Sequence, residues 1–325
     1  MELAGVFTDM NSPRTDPPLW KLTLAFASVY LIWGSTYLAI RFTIETVPPF
    51  SMAAIRFLFA GVILYAIARR GAPRPTRRDW SSALIVGTLL IGGGNGGVVW
   101  AIQWLPSGLA AVIIATVALW MVLIDWVTGG SERPSLSLML GLLWGLLGVA
   151  LLVGSDQVGA QNREGLIGAA ALLGASLSWA AGSIYARRAK FPDSPWMTTA
   201  MHMLAGGVIL TVMAIVAGEP EQIDIGNISA KSAVSLFYLT IFGALVGYSA
   251  YIWLLGVTTP ARASTYAYVN PAVAVFLGWL FADELIGLRS GVAIAMILSA
   301  VVVVTLKGGR PNRAIQPDSA SSQRE

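Results

Sequence analysis

LIWGSTYLAIRFTIETVPPFSMAAIRFLFAGVIL, residues 31–64, recurs in outline 146 residues later in the same chain. At that offset Leu31, Trp33, Arg41, Pro49, Ala54, Leu58, Gly61, Val62, Ile63 and Leu64 meet Leu177, Trp179, Arg187, Pro195, Ala200, Leu204, Gly207, Val208, Ile209 and Leu210. These are ten identities in 34 aligned positions. Two unrelated apolar segments drawn from this biased alphabet share roughly a tenth of their positions by composition alone. A common Gly-Val-Ile-Leu run carries little weight by itself, but a Trp, an Arg and a Pro stay in register with it. The chain reads as two copies of one unit.

Composition says what the unit is made for. Hydrophobic residues make up 56% of the chain and charged residues 12%, against about 25% charged in soluble domains. So few charges cannot cover a water-facing surface. Apolar segments of roughly 18–22 residues, the length that crosses a bilayer, recur along the chain. In hydrocarbon only helices and closed barrels satisfy every backbone N–H and C=O, and alternating strand patterns are absent. The expected fold class is an all-α polytopic membrane protein. Its spans are read at 22–41, 49–68, 81–101, 107–127, 136–154, 165–186, 196–217, 233–256, 262–282 and 288–306. The absence of cysteine excludes disulfides and thiolate metal sites.

The expected organisation is a disordered, proline-rich cytoplasmic tail (1–21, with Pro13, Pro17 and Pro18), a first five-helix repeat (22–154), a second (155–306) and a cytoplasmic tail (307–325). The first apolar run extends past signal-peptide length, so no cleavable leader is read. With the N-terminus inside, the cytoplasmic segments collect Arg14, Lys21, Arg69, Arg70, Arg74, Arg77, Arg78, Arg133, Arg187, Arg188, Lys190, Arg262, Lys307, Arg310, Arg313 and Arg324. External segments hold Arg41, Arg163, Lys231 and Arg289. This positive-inside bias places both termini in the cytoplasm. It also accounts for the net charge of +4, and basic residues scattered over several loops argue against a nucleic-acid partner. The offset carries span 1 onto span 6, so each unit has five crossings, and an odd number inserts the second unit upside down. Ten transmembrane helices in two inverted five-helix repeats are an architecture of secondary transporters, with the solute site near the midplane between the halves.

Polar groups inside spans are costly and therefore candidates for function. Arg56 lies a third of the way into span 2 and can hold an anionic group or cap neighbouring carbonyls. Its repeat mate is His202, the sole histidine, a proton-linked group or a hydrogen-bonded structural imidazole. Asp125, flanked by Trp120 and Trp126, reads as an interfacial carboxylate, and Asp283 and Glu284 as the exit of span 9. The run Gly92-Gly93-Gly94-Asn95-Gly96-Gly97 has no Walker lysine. In a membrane helix it serves close packing or local unwinding, with Asn95 as a hydrogen-bonding contact. Deep aromatics (Trp33, Tyr37, Trp100, Trp120, Trp179, Tyr185, Tyr248, Tyr251, Tyr266 and Tyr268) suit a ring-lined cavity for amphipathic organic solutes. Pro271 in mid-helix frees a carbonyl beside Asn270, Tyr268 and Tyr266.

Three stretches carry a resemblance: WGSTYLAIR at 33–41, NGGVVWAIQWLPSGLAAVIIAT at 95–116 and STYAYVNP at 264–271. Together they resemble the EamA family of the drug/metabolite transporter superfamily, most of all its YedA-like subgroup, over roughly residues 22–306. The resemblance implies a bacterial cytoplasmic-membrane protein with spans 1–4 and 6–9 around a central cavity and spans 5 and 10 peripheral. It implies export of amino acids, their derivatives or drugs. Where relatives often read Ala-Glu-Gln this chain has Ala101-Ile102-Gln103, so a coupling glutamate would be missing. Where relatives read Val-Pro-Leu it has Val117-Ala118-Leu119, which implies a straighter span 4 than span 9.

The reading is a secondary transporter that exports a small amphipathic metabolite, amino-acid derivative or drug by alternating access. The substrate-binding residues are expected among Trp33, Ser35, Tyr37, Arg56, Asn95, Trp100, Gln103, Trp120, Trp179, Tyr185, His202, Tyr248, Tyr266, Tyr268 and Asn270. No cofactor or metal is called for, the partners are a small-molecule substrate and the lipid bilayer, and a homo-oligomer is left open. A membrane-embedded enzyme lacks a clustered His/Asp/Glu set, and a non-transporting sensor or scaffold lacks an output domain.

Overall fold

The computed structural model describes residues 17–105, 107–153, 163–192, 194–282 and 287–308. The two polar tails beyond them, and with these Asp283 and Glu284, lie outside the described residues. Every regular element among the described residues is helical. Helix α1 spans Leu19–Thr43, α2 Pro49–Ala68 and α3 Arg77–Ala101. Helix α4 comprises Ser107–Ala115 and Val117–Val127, followed by α5 (Leu136–Val153), α6 (Arg163–Arg188) and α7 (Pro195–Val216). Then come α8 (Ala230–Val257), α9 (Tyr266–Ala282, after a short turn at Pro260–Ala263) and α10 (Leu288–Lys307). Eight of the described helices are long and apolar enough to cross a membrane by length and composition; the apolar stretch Leu136–Leu152 is shorter. Their outer faces expose Leu31, Phe59, Val208 and Val302, side chains that water would not tolerate in such number but hydrocarbon does.

Local chemistry starts the helices. Pro49 and Pro195, identical in the repeat, open α2 and α7, where a missing N–H has no helical partner to lose. Ser194 caps α7 through Met197 N at 3.3 Å. Helix α2 follows Pro48, which offers no cap, and is capped from the other repeat instead. Buried Glu219 accepts from Phe50 N (3.0 Å) and Ser51 N (2.6 Å). In α3, Thr76 and Asp79 form a capping box.

The packing obeys the duplication. Helix α2 packs on α7 and α5 on α10, each pair equivalent to itself when the repeats are exchanged. Helix α3 packs on α6 and α7, as α8 does on α1 and α2, and α4 lies on α6 as α9 lies on α1. At the α2–α7 crossing a Cβ on Gly61 would stand 3.0 Å from Leu204 Cγ, and one on Gly207 would stand 2.8 Å from Leu58 Cγ. All four residues are repeat identities, and the contact is self-complementary, as a two-fold axis requires. Small residues here let two backbones approach in a medium where packing, and not the hydrophobic effect, joins helices.

Two features depart from regular helix. Both α3 and α8 contain ten-residue π-helical stretches, Gly87–Gly96 and Leu239–Tyr248, at equivalent places in the two repeats. The expected contrast is between a straighter span 4 and a span 9 with a proline. It is α4, without a proline, that breaks at Thr116, while α9 runs continuously through Pro271. At the break the Thr116 hydroxyl donates to Ile113 O (2.5 Å) and its N–H to the same carbonyl (3.1 Å), a tightened turn in place of the α-helical bond.

Candidate functional site

A cavity opens where α1–α4 meet α6, α8 and α9. About 100 Å³ of it admits the centre of a water-sized sphere. Each helix contributes one face. From α1 come Trp33, Thr36, Tyr37 and Ile40, at the i, i+3, i+4, i+7 spacing that aligns side chains on one side of a helix. Gly94, Asn95 and Val98 of α3, Ile114 and Val117 of α4, and Ala175, Ser176 and Trp179 of α6 repeat that logic. Arg56 and Phe57 of α2, Gly243 and Tyr248 of α8, and Tyr266 and Asn270 of α9 complete the wall.

The two repeat-related tryptophans lie at its centre. Trp33 meets Trp179 edge to face, with ring centroids 5.6 Å apart, and Tyr266 in the same manner at 5.0 Å. Each tryptophan leans on a glycine of a π-helical stretch. A Cβ on Gly94 would stand 2.8 Å from Trp179 Cε3, and one on Gly247 would stand 2.6 Å from Trp33 Nε1. Buried Tyr251 ties the group together, accepting from Trp179 Nε1 (2.9 Å) and sharing a hydrogen bond with Ser183 Oγ (2.7 Å).

Electrostatically the wall is lopsided. Arg56 is only 4% exposed. Its Nη2 donates to Asn95 Oδ1 at 2.5 Å, and its Cζ lies 4.7 Å from the Phe57 ring centroid. Nε has no hydrogen-bond partner among the described residues. Among the described residues the wall contains no Asp, Glu, Lys or His. The guanidinium is thus a buried positive charge with an amide for company and no counter-ion on the cavity. Tyr248 adds a buried hydroxyl that is also without a partner among the described residues.

Contacts between helices gather toward one end of the bundle. Tyr30 and Thr265 share a hydrogen bond at 2.6 Å. Arg187 donates to the carbonyls of Leu255 and Thr258 at the end of α8. Beyond it Arg188 pairs with the buried carboxylate of Asp125 at 2.8 Å.

The structure brings together Trp33, Tyr37, Arg56, Asn95, Trp179, Tyr248, Tyr266 and Asn270 of the expected residues. The others stand off the wall. Ser35 turns to Tyr238 (2.6 Å), Gln103 is exposed and donates to Trp100 O, and Trp100 lies beside Trp104, with ring centroids 6.2 Å apart. Trp120 and Tyr185 pack at the edge of the main core. Tyr268 is fully buried against α5, its hydroxyl donating to Leu142 O (3.0 Å). His202 is fully buried edge-on to Phe191, with neither ring nitrogen partnered among the described residues. Thr36, Phe57 and Ser176 were not anticipated. Thr36 and Ser176 share a helix face with a tryptophan three residues away, and that spacing is the signal that would have found them.

Comparison with known proteins places this geometry. The profile of the EamA-like transporter family matches residues 19–154 and again residues 166–306. The chain is 38% identical over 284 residues to an uncharacterized inner membrane transporter, YedA, of Escherichia coli K12, covering 87% of this chain and 90% of that one. It is 27% identical over 279 residues to the protein PecM of Dickeya dadantii, covering 84% and 88%. A solved crystal structure at 20% identity superposes with a TM-score of 0.69, covering 88% of this chain and 97% of that chain, which shows a shared fold.

Proposed function

Because this chain belongs to the EamA-like transporter family, we propose that it is a secondary transporter that exports a small amphipathic metabolite, amino-acid derivative or drug by alternating access. In this reading ten spans form two inverted repeats, 22–154 and 155–306, in the cytoplasmic membrane, the compartment named for YedA. Both termini face the cytoplasm, as the distribution of basic loops suggests. The observation that carries the proposal is the aromatic cavity between two pseudo-symmetric halves, whose helices are cross-linked toward one end. Exchanging the roles of the halves would tie the other end and release this one. A transporter obtains two nearly isoenergetic states from duplication in this way. Transport would run on the solute's own gradient or on protons, since no nucleotide-binding loop is present in the sequence.

Two measurements test this. Purified protein in liposomes is loaded with a mixture of labelled organic acids, amino acids and amines, and exchange is compared with empty liposomes. Failure to move any solute above the empty control sinks transport. The cysteine-free sequence also permits a single reporter, Ser176→Cys, on the cavity wall. Alternating access requires an impermeant maleimide to reach it from one face at a time, and equal labelling from both faces at once overturns that mechanism.

A further inference from the structure

We infer that the cavity selects organic anions: a carboxylate or similar monoanionic oxygen acid on an apolar, ring-sized body, with Arg56 as its counter-charge. The inference rests on the cavity being the solute site of the proposed transporter. It goes further by choosing among acids, zwitterions and cations.

The argument begins with cost. A charge taken out of water without a partner is penalised by several kcal/mol, and Arg56 is 4% exposed with Asn95 as its sole hydrogen-bond acceptor among the described residues. An amide oxygen is a dipole and does not neutralise a guanidinium. No acid among the described residues lies on the wall to do so. A bound carboxylate would supply the missing charge, and the planar fork of arginine suits two oxygens at once. Asn95 fixes one arm of the fork, so the guanidinium is oriented before a ligand arrives. Tyr248, whose hydroxyl lacks a partner among the described residues, lines the same cavity and offers a further donor.

The opposite charge fares badly in the same place. An amine would face the buried guanidinium with no carboxylate to offset the repulsion. The ammonium group of a zwitterion would surrender its water for ring faces and carbonyls, while its carboxylate alone gained. Trp33, Trp179 and Tyr266 already pack their rings on one another, which leaves an apolar box suited to a ligand's hydrophobic body.

Three probes of one shape decide the matter: 3-phenylpropanoate, phenylalanine and 2-phenylethylamine, titrated into the full-length protein in nanodiscs and followed by tryptophan fluorescence. We expect the acid to bind about tenfold or more tightly than either of the others. Arg56→Gln should remove that preference, and Arg56→Lys should restore charge selection without the full affinity. Equal or tighter binding of phenylalanine or the amine overturns the inference, as does binding of none of the three. The wild-type comparison stands even where a variant fails to fold. Transport is read separately. An Arg56-dependent acid preference without exchange in liposomes would sink the transporter reading alone, and exchange of amines or zwitterions without that preference would sink only the charge selection.

Discussion

The two repeats agree in how they bend and pack, and differ in the polar groups they place along the cavity. Leu58 and Gly61 of α2 meet Leu204 and Gly207 of α7 in a self-complementary crossing. Trp33 and Trp179 meet edge to face on the cavity wall, each against a π-helical stretch. The polar anchor has no such symmetry. Arg56 lies on the wall beside Asn95, whereas its repeat mate His202 is buried behind the wall against Phe191. The residue that α8 places against Trp33 is Gly247, where α3 has its Asn95 neighbourhood. Duplication thus supplies the frame, and the two halves diverge in the polar groups they bring to the cavity wall. Extra-residue π stretches often accompany functional sites because they rotate the side chains beyond them, and here each turns a helix whose wall residues follow within it.

Removing the anchor should have the largest effect. Arg56→Gln is expected to lower exchange of an accepted solute by about thirtyfold or more, corresponding to about 2 kcal/mol or more of lost ligand stabilisation. Exchange within a factor of two of wild type, with the variant correctly folded, would remove Arg56 from the site.

A second contrast separates Arg187 from its repeat mate Arg41. Arg187 is half-buried and donates to two carbonyls that end α8, while Arg41 is exposed at the other end of the molecule. Hydrogen bonds from a charged donor contribute about 1.5–3 kcal/mol, whereas exposed substitutions shift stability by about 0.5 kcal/mol or less. Arg187→Gln should therefore lower the melting temperature of the purified protein and raise labelling of a cysteine at Ala261. Arg41→Gln should change neither. Equal effects would mean that the asymmetry between the two ends has no energetic content.

Much of this frame was legible from residues alone. The offset identities pointed to duplication because Leu58, Gly61, Trp33 and their mates touch across the axis, so a change in one copy disturbs the other. The site was legible only in part. Arg56 and Asn95 each stood out as polar groups in apolar helices, but their contact across 39 residues depends on how α2 and α3 are rotated. In helices apolar all round, such as α9, periodicity does not say which tyrosine faces the cavity, and so Tyr268 was expected on the wall while it packs on α5. The π-helical stretches leave no pattern distinct from an α-helix. Glu219 gave no signal either, because a carboxylate in a loop looks like any solvated acid until the uncapped start of α2 is seen beside it.

The symmetric crossing makes a sharper test of the frame. A Cβ on Gly61 or on Gly207 meets the same pair of neighbours, a leucine side chain at 3.0 or 2.8 Å and the backbone nitrogen of that leucine at 3.1 or 3.2 Å. Overpacking of a close crossing costs about 1–3 kcal/mol. Gly61→Ala and Gly207→Ala should lower the melting temperature by similar amounts. They should also combine less than additively, since both push α2 and α7 apart and the second change finds the gap already opened. Strictly additive losses, or a loss in one variant only, would break the two-fold relation at this contact.

His202 should show the smallest effect. Its imidazole is fully buried, and neither nitrogen has a partner among the described residues. A buried polar group without a hydrogen bond costs about 1–3 kcal/mol, so an apolar residue of similar size removes a penalty along with some packing. His202→Leu should leave stability unchanged or raise it by about 1 kcal/mol, and should leave exchange within about twofold of wild type. The same variant tests proton coupling, because the sequence offers one histidine and the cavity wall carries no carboxylate among the described residues. If a pH gradient drives exchange in the wild type and His202→Leu abolishes that drive, the imidazole takes part from behind the wall and the two halves differ less in function than in geometry. If exchange ignores the gradient in both proteins, the imidazole takes no part in coupling and the second repeat acts on the solute only through its share of the cavity wall.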